Sequence, residues 1–425
     1  MKQLLCLTLL LSVATAAAQD VFDLKRCIET GLERNYAIRI IRNEQILSEN
    51  NATLGNAGFL PSADISAGFS GTKDTETANA ALSLNWTVFD GFAIQADYAR
   101  LKELRNIGEL NTRMTIEDFI AGISGEYYNL IRQKTRLRNL TSTLALSRER
   151  LRIVEERYVI GSMSRLDMQQ AQVDFNADSS ALLNQFEVVH RSRTHLNQLM
   201  AIDNVEEPIL LKDSAIYPNV SLDEADLRAR TMESNVSLLI ARKNVSLSAL
   251  DLKKAQSRNY PYLRLNAGYG YTANWAGMTN LQQQRLSPNY GLTIGFNLFD
   301  GFNKNREQRN ARIQIENRDL LRRELELSLR TDMSNQWMAY ENNLNLWNLE
   351  KANLVVAQEN FRIAIERYRL GDLSGIQLRE AQNSLLNAEE RQSIVEFATK
   401  LCEISLLQLS GQIINVLKYP TPLFP

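Results

Sequence analysis

Cysteine is nearly absent from this 425-residue chain: there are three, and Cys6 lies among the first few residues. A framework of several disulfides or a cysteine-built metal cluster is therefore excluded. Histidine is limited to His190 and His195. Five positions apart on a helix, they point about 140° away from each other and do not share a metal. Neither sign of charge is in excess. The 48 Lys and Arg against 49 Asp and Glu give a net charge of −1, which lacks the basic field that holds nucleic acid. With 19 glycines and 8 prolines, the chain does not have the composition of a disordered segment. There is no Gly-rich phosphate loop and no nucleophile elbow. No catalytic residue, cofactor site or metal site is read from the sequence.

The N-terminus holds an apolar run of its own. Lys2 precedes the apolar stretch 4–13, and Ala16-Ala17-Ala18 offers a small-residue cleavage site before Gln19. This is the pattern of an export signal, residues 1–18, expected to be cleaved after about Ala18. No cysteine stands directly after that point, which argues against a lipid anchor at the mature N-terminus. An exported chain permits Cys27 and Cys402 to pair, but two unpaired small side chains on helices is the simpler expectation. No later run reaches the ~18 apolar residues of a spanning helix.

What the chain does have is itself twice. The stretch 22–40 aligns with 222–240, and Pro61 with Pro261. The shift then grows by about ten residues, so that F-D-G-F at 89–92 meets F-D-G-F at 299–302, and E-R-Y-V-I-G at 156–161 meets E-R-Y-R-L-G at 366–371. The copies run over residues 22–201 and 222–411, followed by a tail, 412–425. A period this long marks a doubled half-molecule, unlike a short solenoid repeat. The mature chain, 19–425, is read as one unit made of the two halves.

Each copy contains two segments of period two. Ile65, Ala67 and Phe69 alternate with polar or small residues, as do Leu82, Leu84, Trp86 and Val88. In the second copy Leu263, Leu265, Ala267, Tyr269 and Tyr271 do the same, followed by Leu292, Ile294, Phe296 and Leu298. The pattern predicts strands at about 62–70, 81–89, 262–271 and 290–299, with polar loops at 71–80 and 272–287. One apolar and one polar face suit a soluble sandwich or a membrane barrel. Trp86, Phe89, Tyr262, Tyr269, Tyr271 and Phe299 are placed to form interfacial aromatic girdles. Four strands cannot close a barrel, because about eight is the minimum, and lipid forbids an open edge. If these strands span a membrane, the chain must associate with copies of itself.

The remainder is helical. From 92 to 158 there is no proline, and Ile116, Ile120, Ile123, Tyr127, Leu130 and Leu137 step by three and four. A helix of that length is about 100 Å long, as in a coiled coil or a helical tube. A shorter helix is expected at 36–57 and a returning one at 165–200. The F-D-G-F motif sits where strand becomes helix. Asp90 and Asp300 can cap the orphan N–H groups of a helix start, while Gly91 and Gly301 accept backbone angles that other residues resist.

This arrangement resembles the TolC family of outer-membrane channels of Gram-negative bacteria over nearly the whole mature chain. The resemblance rests on the doubled plan, the F-D-G junctions and the tip pattern carried by Tyr158, Gly161, Ser164, Leu166, Asp167, Met168, Ala171 and Gln172. It implies an α+β membrane channel, a homotrimer in which four strands per chain build one shared 12-stranded β-barrel continued by a periplasmic α-helical barrel. It implies residence in the outer membrane, contact with outer-membrane lipid, and service as the exit duct of a tripartite efflux pump or type I secretion system. The partners would be a periplasmic adaptor (membrane fusion protein) and an inner-membrane pump of the RND, ABC or similar class, which supplies the energy. The two loops would face the cell exterior. The tips, with Gly161, Ser164, Arg165, Asp167, Gly371, Ser374 and Gln377, would dock the adaptor, and six tips in a trimer suit a six-membered ring. The glycines also have a plainer use as helix-to-helix turns. The second tip departs from the pattern, since Gln377 stands where the first copy has Asp167. Only Glu380 is left there as an acidic residue for the periplasmic entrance; it could equally be a solvated charge, pairing with Arg379 of a neighbouring copy. The tail is expected to lie along the outside of the tunnel. An exported coiled-coil scaffold or adhesin without a pore is the alternative, and it explains the paired strands less well.

Overall fold

The computed structural model describes residues 21–276 and 280–417. The predicted signal, 1–18, and the last part of the tail lie outside them. In chain order the elements are β1 (Val21–Phe22), α1 (Leu24–Arg34), α2 (Tyr36–Asn51), β2 (Ser62–Gly71), β3 (Thr75–Phe89), α3 (Ala93–Val159) and α4 (Arg165–Leu199). Then follow β4 (Leu210–Leu211), α5 (Glu224–Ser234), α6 (Val236–Ser257), β5 (Tyr262–Ala276), β6 (Asn280–Gly295), α7 (Asn303–Leu370), α8 (Gly375–Leu409) and a 3-10 turn (Ile413–Leu417). The chain divides into two compact units. One comprises residues 40–115 and 236–328; the other takes the remaining described residues.

The first unit carries an antiparallel sheet in the order β2-β3-β5-β6. Its register matches apolar with apolar: Ile65 faces Leu82, Leu82 faces Tyr269, Trp86 faces Leu265, and Leu265 faces Leu292. The apolar face is not covered. Ile65 is 84% exposed, and Leu82, Leu84, Trp86, Val88, Leu292 and Ile294 are exposed as well. A soluble sheet buries that face; a lipid-facing wall presents it. β2 and β6 form the two edges of this sheet.

The strands differ in extent from the alternation. β3 begins at Thr75, β5 reaches Ala276 and β6 starts at Asn280, so most of the predicted loops 71–80 and 272–287 is ladder. Residues 277–279, part of the second expected loop, lie outside the described set. Threonine, asparagine and glutamine hold a ladder where both faces are hydrated, and Thr77 Oγ1 donates to Asn274 Oδ1 across it at 3.0 Å. The first turn shrinks to 72–74, closed by Thr72 N donating to Thr75 O at 2.7 Å. At the other end β6 stops at Gly295 rather than about 299. Its partner β5 starts at Tyr262, which already pairs with Gly295, so 296–299 have nothing left to pair with on that side. Pro288 sits within β6, which an edge strand tolerates. The predicted helix 36–57 ends at Asn51, where Asn56 Nδ2 donates to the Asn51 carbonyl at 2.8 Å and turns the chain.

The second unit is helical around a core of Ile28, Ile120, Ile123, Tyr127, Leu130, Leu196 and Met200. Both cysteines are free thiols, Cys27 in this core and Cys402 beside Met333, Tyr340 and Leu406. Burial pushes the Cys27 thiol up to about 12 and raises that of Cys402. The segment joining the copies is strapped down. Asp213 accepts from the Tyr127 hydroxyl at 2.7 Å, the Tyr217 carbonyl accepts from Lys400 at 3.3 Å, and Asn219 N donates to Glu403 at 3.0 Å. The start of the tail packs into this unit: Ile413 is 1% exposed and belongs to the core. An apolar side chain directly after the Gly411 turn is drawn inward.

Candidate functional site at the helix tips

Two helix reversals lie in the helical unit, one per copy. α3 ends at Val159, and Gly161 takes a φ of 77°; α7 ends at Leu370, and Gly371 takes a φ of 85°. The glycines close both helices with 6→1 bonds, Ser162 N donating to Arg157 O (2.8 Å) and Asp372 N to Arg367 O (2.9 Å). No atom lies within 4 Å of a Cβ built on either glycine, so the backbone angle alone asks for glycine.

The returning helices open with capping boxes. Ser164 Oγ accepts from Asp167 N, and Asp167 Oδ2 accepts from Ser164 N, both at 3.2 Å. In the second copy Ser374 Oγ accepts from Gln377 N at 3.3 Å, and Gln377 Oε1 accepts from Ser374 N at 3.1 Å. Asp167 and Gln377 thus do one job with different charge, which accounts for the departure of the second tip. Arg165 is exposed. Around these polar residues stand Val159, Ile160, Leu166, Leu370 and Ile376, all exposed. Leu166 belongs to the tip pattern, whereas Val159, Ile160 and Leu370 carry no motif in the sequence and adjoin residues that do.

Behind the tips the two hairpins are joined by charge. Arg379 donates to both Asp178 oxygens at 2.7 and 2.8 Å and lies 3.9 Å from Asp174. These carboxylates raise its guanidinium above the usual range. Arg150 also pairs with Asp174, Ser147 donates to Asp178, and Gln382 donates to Ser147 at 3.1 Å. Arg379, expected as a possible partner for Glu380 of a neighbouring copy, is therefore committed within its own chain. Glu380 is exposed and lines a cavity of about 650 Å³ with Asp167, Tyr368 and Arg150. Tyr368 Oη and Arg150 Nε are buried there without a partner.

The strand-to-helix junctions lie in the sheet-bearing unit. Asp90 accepts from Ile94 N at 3.0 Å, and Asp300 accepts from Lys304 N at 3.0 Å. Both glycines and both following phenylalanines are left-handed: φ is 72° and 76° at Gly91 and Phe92, and 69° and 63° at Gly301 and Phe302. The outer phenylalanines fold back on each other edge to face, Phe89 on Phe92 at 5.1 Å and Phe299 on Phe302 at 5.3 Å. Ring contact of this kind offsets the strain of a phenylalanine at positive φ. Every letter of F-D-G-F thus has a use; the sequence reading had assigned three of the four.

The chain matches the outer membrane efflux protein family over residues 27–201 and 227–412. Pyoverdine export outer membrane protein OpmQ of Pseudomonas aeruginosa is 24% identical over 399 residues, spanning 88% of this chain and 79% of that protein. Protein CyaE of Bordetella pertussis is 20% identical over 411 residues, spanning 93% and 84%. The solved structure of the outer membrane protein VceC from Vibrio cholerae superimposes with a TM-score of 0.75 at 17% identity, covering 91% of this chain and 96% of that one. The chain belongs to the outer membrane efflux protein family, and its role is that of an outer-membrane exit duct.

Proposed function

We propose that three copies of this chain close one duct through the outer membrane and that its helix tips dock a periplasmic adaptor fed by an inner-membrane pump. The observation that carries this reading is the sheet: four strands, two edges and an exposed apolar face. Closing those edges against further copies removes the unpaired N–H and C=O groups that lipid cannot satisfy. The β2–β3 turn then faces the exterior. The capped tips, Gly161 to Asp167 and Gly371 to Gln377, offer rigid loops ringed by exposed Ile160, Leu166 and Ile376, a combination suited to a protein partner. Glu380 adds a modest acidic girdle at the entrance, with Gln377 contributing no charge. Cleavage of the signal after about Ala18 delivers the chain to this place.

Gly161→Pro and Gly371→Pro provide the test. Each should abolish export from cells while the heat-resistant β-signal of the outer-membrane fraction persists. Full export by both variants would end the docking role, and loss of the β-signal in the parent chain would end the duct.

A further inference from the structure

A basic ridge stands at one of the two junctions. Lys304, Arg306, Arg309 and Arg312 follow the second F-D-G-F on the opening turns of α7. Steps of three residues keep the arginines within an arc of about 120°. All three are exposed, and none has an ion-pair partner among the described residues. The junction's own acids are already answered, since Arg258 donates to Asp300 at 3.3 Å and pairs with Glu307. Lys304 lies 5.6 Å from the centroid of the Phe296 ring. Phe296 continues the exposed apolar alternation of Leu292 and Ile294, so the ridge begins on the apolar side of the wall.

The internal repeat supplies a control. The corresponding positions in α3 are Ile94, Ala96, Ala99 and Lys102. The same strand, cap and helix form there with one cation instead of four, so the fold does not require the charge. Clustered like charges repel each other and call for a counter-charge from elsewhere.

We propose that Lys304, Arg306, Arg309 and Arg312 hold the phosphate of an anionic phospholipid headgroup where β6 leaves the sheet. The inference rests on the outer-membrane reading above. Guanidinium forks match phosphate oxygens, while exposed Phe296, Leu298 and Phe299 stand alongside for the acyl chains. A zwitterionic headgroup brings its own ammonium and gains less.

The test is native mass spectrometry of the detergent-extracted full mature protein, titrated with phosphatidylglycerol or with phosphatidylethanolamine of the same acyl chains. Phosphatidylglycerol should be retained preferentially, and inorganic phosphate should not displace it. A cation near an anionic surface changes occupancy about fivefold, so Arg306→Gln with Arg309→Gln should lower phosphatidylglycerol retention roughly twenty-five-fold. Arg306→Lys with Arg309→Lys should retain the preference, and Lys102→Gln in the first copy should change nothing. Equal retention of both lipids, displacement by inorganic phosphate, or retention unchanged in the glutamine variant would overturn the proposal. So would a glutamine variant that falls apart into single chains, because the arginines would then lie between copies. Absence of the parent chain from the outer membrane would instead refute the reading on which the proposal rests.

Discussion

His190 and Arg193 in the first copy correspond to Lys400 and Glu403 in the second, yet they live in different surroundings. His190 is exposed, and its Nδ1 lies 3.0 Å from Arg193. Lys400 and Glu403 pair at 2.9 Å with side chains only 4% and 6% exposed. The cause is the segment joining the copies, whose Tyr217 and Asn219 bond to Lys400 and Glu403 on α8; among the described residues that segment makes no hydrogen bond to His190 or Arg193. Duplication repeated the scaffold, and the connection then made the halves unequal. A buried ion pair is the consequence: removing one member leaves a buried charge without its counter-charge.

The largest expected effect tests that inequality directly. Lys400→Met should cost about 3–5 kcal/mol in denaturant unfolding, because Glu403 stays buried without its cation. His190→Met, its counterpart, should fall within about 0.5 kcal/mol, as exposed positions do. Equal losses would mean that the linker does not seal the second pair.

The junctions sharpen the comparison. A Cβ on Gly91 would lie 2.2 Å from the Ser257 carbonyl, whereas on Gly301 the nearest atom is 3.7 Å away. Both positions have positive φ, worth roughly 1–2 kcal/mol for alanine, and Gly91→Ala adds a backbone clash. The duct reading expects a neighbouring copy to lie against Gly301 as Ser257 lies against Gly91. The duct reading therefore predicts that both alanine variants lose the heat-resistant outer-membrane form alike. A fully tolerated Gly301→Ala would show that the second junction stays uncovered.

The tips are the place where the copies should agree. Ser164→Ala and Ser374→Ala each remove one capping box and should each cost about 1 kcal/mol, read as a small shift in thermal unfolding. If only the Ser164 variant is affected, the carboxylate of Asp167 supplies what the amide of Gln377 does not.

The face alternation of all four strands was legible because side-chain parity survives in each copy, from Ile65 to Ile294. Their ends were not legible. Thr75 to Ala80 and Gln283 to Ser287 carry little apolar alternation; the first enters the ladder because β2 and β5 flank it, the second because β5 lies beside it. At the tips, the turn role of Gly161 and Gly371 is legible in the sequence, and so is S-x-x-D at 164–167 as a capping signal. The commitment of Arg379 to Asp178 could not be read, since the two are brought together from distant helices only by the fold. The left-handed Phe92 and Phe302 were hidden for another reason: phenylalanine rarely adopts that conformation, and only the ring of the preceding phenylalanine makes it tolerable here.

The mass of the detergent-extracted, natively folded assembly tests the central claim most directly. A sheet with four strands and two open edges, in a chain of this family's fold, predicts three chains in one particle. A stable, membrane-inserted particle containing a single chain would contradict it.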